Sequence, residues 1–161
     1  MELRTRLARG LTLLVLAAAV PAQAFDATGT WKGGYSCKGF DGGPFKVKAG
    51  RVTMLVSQSG STLSVVLDNA NFHFAGASID DAGDSQKGQA ILVECRTDDV
   101  PSTGFAEMIA GVVKTKAGKD AASFKGTSVY QEVDSSGTEG GSCFYTFKRT
   151  SRTDPGVPGC L

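Results

Sequence analysis

Hydrophobic and polar residues alternate with a period of two over most of the chain that follows residue 24. Segments in which β-branched and aromatic residues recur at every second position are typical of strands with one buried face. The pattern predicts eight strands, at residues 28–38, 51–57, 62–67, 71–79, 88–96, 105–115, 122–132 and 142–150. No segment has the spacing of a long amphipathic helix, so we expect an all-β fold.

Short segments rich in glycine, serine and aspartate separate these strands. Such residues favour turns because they tolerate unusual backbone angles or hydrogen-bond to nearby backbone groups. The predicted turns lie at residues 58–61, 67–70, 80–84, 117–120 and 135–137. Connections this short join antiparallel neighbours, and closure of such a sheet removes both exposed edges. The sequence therefore predicts an eight-stranded antiparallel up-and-down barrel.

Closure would require the first and last strands to pair antiparallel in a definite register. The register in which paired residue numbers sum to 180 produces four pairs: Trp31–Arg149, Gly33–Phe147, Tyr35–Tyr145 and Cys37–Cys143. All of these residues share one face of their strands, because side chains alternate with a period of two. One register thus accounts for a disulfide, an aromatic pair and a tryptophan–arginine contact.

The segment Gly29-Thr30-Trp31 at the start of the first strand resembles the G-x-W signature of the lipocalins and the wider calycin superfamily. Those proteins are eight-stranded up-and-down barrels in which a basic residue of the last strand packs over the tryptophan. Arg149 matches that basic residue, with Arg152 as the alternative. The resemblance implies that Trp31 and Arg149 are structural and that Trp31 plugs one end of the barrel.

The four cysteines form an even set, at Cys37, Cys95, Cys143 and Cys160, so two disulfides are expected in an exported chain. Four cysteines allow three connectivities, of which the register above favours the one that contains Cys37–Cys143. A link between Cys95 and Cys160 would be similar to the tie by which lipocalins hold their C-terminal tail on the barrel wall. The smallest spacing is 17 residues, which does not suit the close pairs of a zinc site.

The first 24 residues have the parts of an export signal in the expected order. Three arginines precede the apolar run 11–20, and Ala22-Gln23-Ala24 places small residues at a cleavage site. The apolar run is shorter than the roughly 20 residues that a bilayer span needs. We therefore expect a signal peptide at residues 1–24, a single barrel domain at residues 25–161, and a periplasmic or secreted location.

Charge and motifs exclude several functions. Removal of the signal takes away three arginines and one glutamate, which leaves 14 basic and 15 acidic residues and no basic block for nucleic acid. No nucleophile, metalloprotease or phosphate-loop motif occurs, and the single histidine, His73, lies between two phenylalanines on a predicted strand. Asp80, Asp81 and Asp84 do not follow a calcium loop and are read as a solvated turn. We expect no metal or cofactor, and an enzyme that acts through an unrecognised site is the least favoured of the function classes that remain.

Binding is the remaining function, because an eight-stranded barrel is wide enough to hold one small ligand or to be filled by side chains. The candidate ligand-binding residues are Tyr35, Glu107, Phe124, Tyr130, Tyr145 and Phe147. The small residues expected to leave space inside are Gly33, Ala75, Ala77, Ala90, Ala110, Gly111, Gly126 and Ser128. We expect a monomeric carrier of an apolar or amphipathic molecule. The alternative is a protein-binding module, such as a lipocalin-like proteinase inhibitor, that acts through its loops or the arm Phe25-Asp26-Ala27.

Overall fold

The computed structural model describes residues 25–39, 46–67, 72–81, 84–95, 104–115, 122–134 and 137–160. Its eight strands are β1 (Gly29–Gly39), β2 (Lys46–Ser59), β3 (Thr62–Leu67), β4 (Phe72–Asp81), β5 (Asp84–Cys95), β6 (Gly104–Thr115), β7 (Ala122–Asp134) and β8 (Gly137–Ser151). Each strand pairs antiparallel with the next along the chain, and β8 pairs with β1 to close the barrel. The predicted all-β, eight-stranded up-and-down barrel is confirmed.

The predicted register between β1 and β8 is confirmed at all four positions. Cys37 and Cys143 form a disulfide across this pairing, with their Cα atoms 4.0 Å apart. The rings of Tyr35 and Tyr145 lie 5.7 Å apart between centroids. The closing seam of the barrel is therefore held by backbone hydrogen bonds, a covalent link and an aromatic pair.

Several strands extend further than the alternation predicts. β2 begins at Lys46, and β5 begins at Asp84, which pairs with Asp81 across a short connection. Ladder hydrogen bonds continue as long as a partner strand lies alongside, so they carry polar residues of low strand propensity into the sheet. Residues 68–70, 82–83, 117–120 and 135–136 of the predicted turns, and the predicted signal peptide 1–24, lie outside the described residues.

One end of the barrel is closed by residues 25–28, which cross it and contact β2, β5 and β8. We call this segment the plug. The side chain of Phe25 is 2% exposed and lies against Gly88 of β5, where a Cβ atom would come within 1.7 Å of its ring. Because only glycine leaves room there, Gly88 provides the space into which Phe25 packs.

Gln58, near the end of β2, binds the backbone of the plug. Its Nε2 donates to the carbonyl of Phe25 at 3.0 Å, and its Oε1 accepts from the amide of Ala27 at 2.8 Å. The same Nε2 also lies near the carbonyl of Gly60 and the hydroxyl of Ser78. Since unpaired buried backbone groups are costly, these bonds allow the plug to enter the barrel end without loss of hydrogen bonding.

Trp31 and Arg149 complete the closed end. The indole Nε1 of Trp31 donates to the carbonyl of Ala27 at 3.0 Å, and the guanidinium carbon of Arg149 lies 5.5 Å from the centre of the Trp31 ring. Arg149 Nη1 donates to the carbonyls of Asp26 at 2.7 Å and Thr28 at 3.2 Å. A guanidinium over an indole contributes about 0.5–2 kcal/mol. The structural role expected for both residues agrees with this arrangement.

The C-terminal tail returns along the outer wall. Cys160 is linked to Cys95 at the end of β5, which confirms the second expected pairing. Asp154 accepts hydrogen bonds from the hydroxyl of Ser57 and the amide of Gly156, and these bonds hold the pKa of the Asp154 carboxyl below its ordinary value. The amide of Val157 donates to Ser57 at 2.8 Å. The tail is thus fixed to the barrel at two places.

The packing of the plug against Gly88 can be tested with Gly88→Ala. The added methyl group collides with the ring of Phe25, so we expect the free energy of unfolding to fall by about 1–3 kcal/mol in denaturant titrations. Gly50→Ala is the matched control, because a Cβ atom there has no neighbour within 4 Å. Its stability should remain within about 0.5 kcal/mol of wild type. Equal stability of the two variants would contradict this account of the plug.

Candidate functional site

Three buried polar side chains face the barrel interior in the half that lies away from the plug, which we call the distal half. Glu107 of β6 is 7% exposed, Ser128 of β7 is 2% exposed, and Tyr145 of β8 is also buried. Their strands are neighbours in the barrel wall. Buried polar groups are costly unless they are paired, so such a group inside an apolar barrel indicates a specific role.

Tyr145 and Glu107 form the central contact of this group. The Tyr145 hydroxyl donates to Glu107 Oε1 at 2.5 Å, a length typical of a hydrogen bond to a charged acceptor. Burial raises the pKa of the Tyr145 phenol well above its ordinary value, and the charge of Glu107 and the hydrogen bond to it act in the same direction. Tyr145 is therefore held in its protonated form, as a donor.

Hydrogen-bonding capacity is left over in the same place. Within the described part of the chain, the contact with Tyr145 is the hydrogen bond that Glu107 makes, and it uses only Oε1. Ser128 Oγ lies close enough to Tyr145 to oppose the rise of its pKa, but it has no hydrogen bond of standard geometry among the described residues. Ser128 Oγ is thus a buried hydroxyl that remains able to bind a further group.

Aromatic side chains also lie in the distal half. Tyr35 is half-buried, and its ring is tilted by 44° to that of Tyr145. Tyr130 and Phe72 are also half-buried and pack against the core from β7 and β4. Glu94 adds a second inward carboxylate from β5, with its Oε2 buried. The distal half therefore combines aromatic surfaces with a few convergent polar groups, as small-molecule sites do.

The predicted ligand-binding residues divide between the two halves. Tyr35, Glu107 and Tyr145 come together in the distal half, and Tyr130 lies on the same side. Phe124 and Phe147 lie instead in the core of the plug half, where Phe124 shares a cavity of about 20 Å³ with Trp31. A space of that size admits about one water molecule, so this half is filled by side chains.

The sequence predicts Ser128 only as a small residue that leaves space inside the barrel, and it does not predict Glu94 at the site. Both follow the inward alternation of their strands, Ser128 from Phe124 and Glu94 from Ala90 and Leu92. Some of the small residues expected inside face outward. Ala77 and Ala110 are exposed, because the inward positions of β4 and β6 are those of Phe74 and Ile109.

The outer wall carries exposed apolar side chains on β4 to β8. They are Ile79, Ile91, Val93, Met108, Val129 and Phe144. An open groove of about 450 Å³ lies on this wall, lined mainly by outward side chains such as Lys125 and Thr127. Tyr145 of the interior polar group also contributes to its lining.

Among the residues that the structure describes, no three histidine, cysteine or acidic side chains lie close enough together to hold a metal ion. In the same residues, no helix has the length and apolar character needed to cross a bilayer. His73 is half-buried, and Phe74 beside it faces the core. The interior alternation therefore places His73 on the outer side of β4, apart from Glu107.

The fold and the closing seam define this protein as a closed antiparallel barrel of eight strands, consistent with a calycin-like architecture. In comparisons with protein-family models, with curated proteins and with solved structures, none matches the chain.

The raised pKa of Tyr145 predicts how stability changes at alkaline pH. Tyr145 binds its proton more tightly in the folded than in the unfolded chain, so its contribution to stability is complete below about pH 10, where an unfolded tyrosine ionises. It is lost as the pH rises further. We expect the stability of wild type to fall more steeply above that pH than the stability of Tyr145→Phe, in denaturant titrations at several pH values.

Phenolate absorbance provides an independent measurement of the same group. In wild type, part of the signal from the three tyrosines should appear only when the barrel unfolds, and this part should be missing in Tyr145→Phe. The pKa assignment would be wrong if the difference spectrum between the two proteins showed ionisation near pH 10 in the folded state.

Proposed function

We propose that this protein is an exported carrier-type barrel that binds an apolar or amphipathic small molecule in its distal half. The observation that carries the proposal is the buried group of Glu107, Tyr145 and Ser128 in an otherwise apolar interior. Packing alone would favour apolar side chains at these positions, because a partly satisfied polar network is less stable than an apolar core. A ligand that completes the hydrogen bonding gives these residues a use.

The two ends of the barrel support the same function. The plug half is filled and rigidly hydrogen-bonded, so it supplies a closed floor. The distal half has half-buried rings and polar atoms with remaining capacity. A floor and a polar contact above it are the parts that a cup-shaped site requires.

The disulfides support the exported location. Two disulfides persist in an oxidising compartment and are rare in a reducing one. Together with the predicted signal peptide, they support a periplasmic or extracellular protein. The G-x-W segment, and the contact between Trp31 and Arg149 that the lipocalin resemblance implies, further support a relationship to the calycins.

The protein-binding alternative is less favoured by the position of the N-terminal arm. The side chains of Phe25 and Ala27 are buried in the closed end, and their backbone is bound to Gln58. An inhibitor that acts through a protruding arm needs those residues accessible. The arm is instead part of the barrel.

A variant that fills the distal half tests the proposal. We expect Ser128→Leu to displace a bound molecule and to weaken the binding of an environment-sensitive lipophilic dye at least tenfold. Thr127→Leu is the matched control, because its side chain is the next on the same strand and faces the solvent. Its dye affinity should equal that of wild type, and near-ultraviolet circular dichroism of Trp31 should confirm that both variants are folded.

Native mass spectrometry of protein purified from its own host provides the complementary measurement. A mass above that of the oxidised chain that disappears on denaturation is the expected result. An apo mass, together with no binding by wild type across a panel of lipophiles, would reject the carrier function.

A further inference from the structure

We infer that the molecule bound in the distal half is an organic cation, an ammonium whose charged head pairs with Glu107 and lies against the tyrosine rings. This inference rests on the proposed function, since it requires a ligand in that half. It specifies the chemical class of the ligand. An apolar interior alone would not select one class of head group over another.

Glu107 is a buried carboxylate with one neutral hydrogen-bond donor among the described residues. Its side chain is 7% exposed, and its hydrogen bond within the described residues comes from the neutral hydroxyl of Tyr145. A single neutral donor offsets only part of the desolvation of a carboxylate. A cationic group near the carboxylate would supply the opposite charge that this neutral donor lacks.

The buried cation of the protein lies away from Glu107. Of the lysine and arginine side chains whose burial is described, Arg149 is the buried one. It is bound to the plug carbonyls, and it lies four residues from Tyr145 along β8, about 13 Å at the rise of a strand. Arg149 therefore does not neutralise Glu107, and no other lysine or arginine whose burial is described is buried.

Tyrosine rings and a hydroxyl group lie in the same half of the barrel as the carboxylate. Tyrosine faces attract ammonium groups, and this attraction increases when the pair is desolvated. Tyr145, whose hydroxyl binds Glu107, lies 5.7 Å from the ring of Tyr35 between centroids. Ser128 Oγ, whose residue is 2% exposed, is available to accept an N–H bond from a primary ammonium.

Other ligand classes fit this group less well. An anionic head would be repelled by Glu107 in a region of low dielectric constant. A neutral alcohol could donate one hydrogen bond but would leave the carboxylate without an opposite charge. An ammonium pairs with the negative charge of Glu107, and its N–H groups can donate to the carboxylate and to Ser128 Oγ.

Matched probes test the inference on the intact, oxidised protein. Isothermal titration with octylamine and octanol, and with phenethylamine and phenethyl alcohol, compares a cation with a neutral molecule of the same skeleton. We expect wild type to bind the amine of at least one pair tenfold or more tightly than its alcohol. Glu107→Gln, which keeps the size of the side chain, should remove that preference. Asp154→Asn should retain it, because it removes the same charge from the exposed tail.

A second variant, Ser128→Ala, tests the inference even if the Glu107→Gln protein does not fold. Ser128→Ala should weaken the primary amine severalfold and leave the corresponding trimethylammonium compound unchanged, since the latter has no N–H donor. Equal loss for both compounds would contradict the role of Ser128 Oγ as the acceptor of an N–H bond from the ligand.

The outcomes separate the two proposals. If alcohols bind as tightly as amines, or carboxylates bind more tightly, the cation inference is overturned and the carrier function stands. If neither member of any pair binds to wild type, and no lipophile does, both proposals fail. Amine selectivity that is lost in Glu107→Gln and kept in Asp154→Asn supports both.

Discussion

The pairing of β1 with β8 is the contact on which the rest of the structure depends. It closes the sheet, and it brings residues more than a hundred positions apart along the chain into one face of the wall. Because side chains alternate, a slip of one residue in this pairing would turn Trp31, Tyr35 and Cys37 outward together. The disulfide at Cys37 fixes the register covalently, and every interior position on the two strands follows from it.

The interior accommodates two buried charges of opposite sign by keeping them apart. Arg149 Nη1 binds the carbonyls of Asp26 and Thr28 and lies 3.5 Å from the Asp26 carboxylate, and its guanidinium lies over the Trp31 ring. Among the described residues, Glu107 accepts a hydrogen bond from the Tyr145 hydroxyl. The two charges therefore lie in opposite halves of the barrel, which distinguishes the two ends chemically, beyond the difference in their packing.

Alternation along the strands was enough to predict the barrel and the closing register, because both depend on a period of two. The level of a residue along the barrel axis was not predictable in this way, since strand tilt and stagger set it. Phe124 and Phe147 therefore seemed equivalent to Tyr145, although they pack in the other half. The burial of Phe25 was not predictable from its own segment, because it depends on Gly88, which lies on a strand distant in sequence. The sequence has no motif at Ser128. This residue is identified as part of the site only by its neighbours in the folded barrel.

The two disulfides also overlap along the chain. One spans residues 37 to 143 and the other residues 95 to 160, so each enclosed segment contains one end of the other. A single peptide-bond cleavage anywhere between Cys37 and Cys160 consequently leaves two fragments that remain covalently joined. Every connection between strands β1 to β8 falls within this interval, including the longest ones. In a compartment that contains proteases, one nick in a loop would not release any part of the barrel, and the protein would remain one molecule until a second cut or a reductant acted on it.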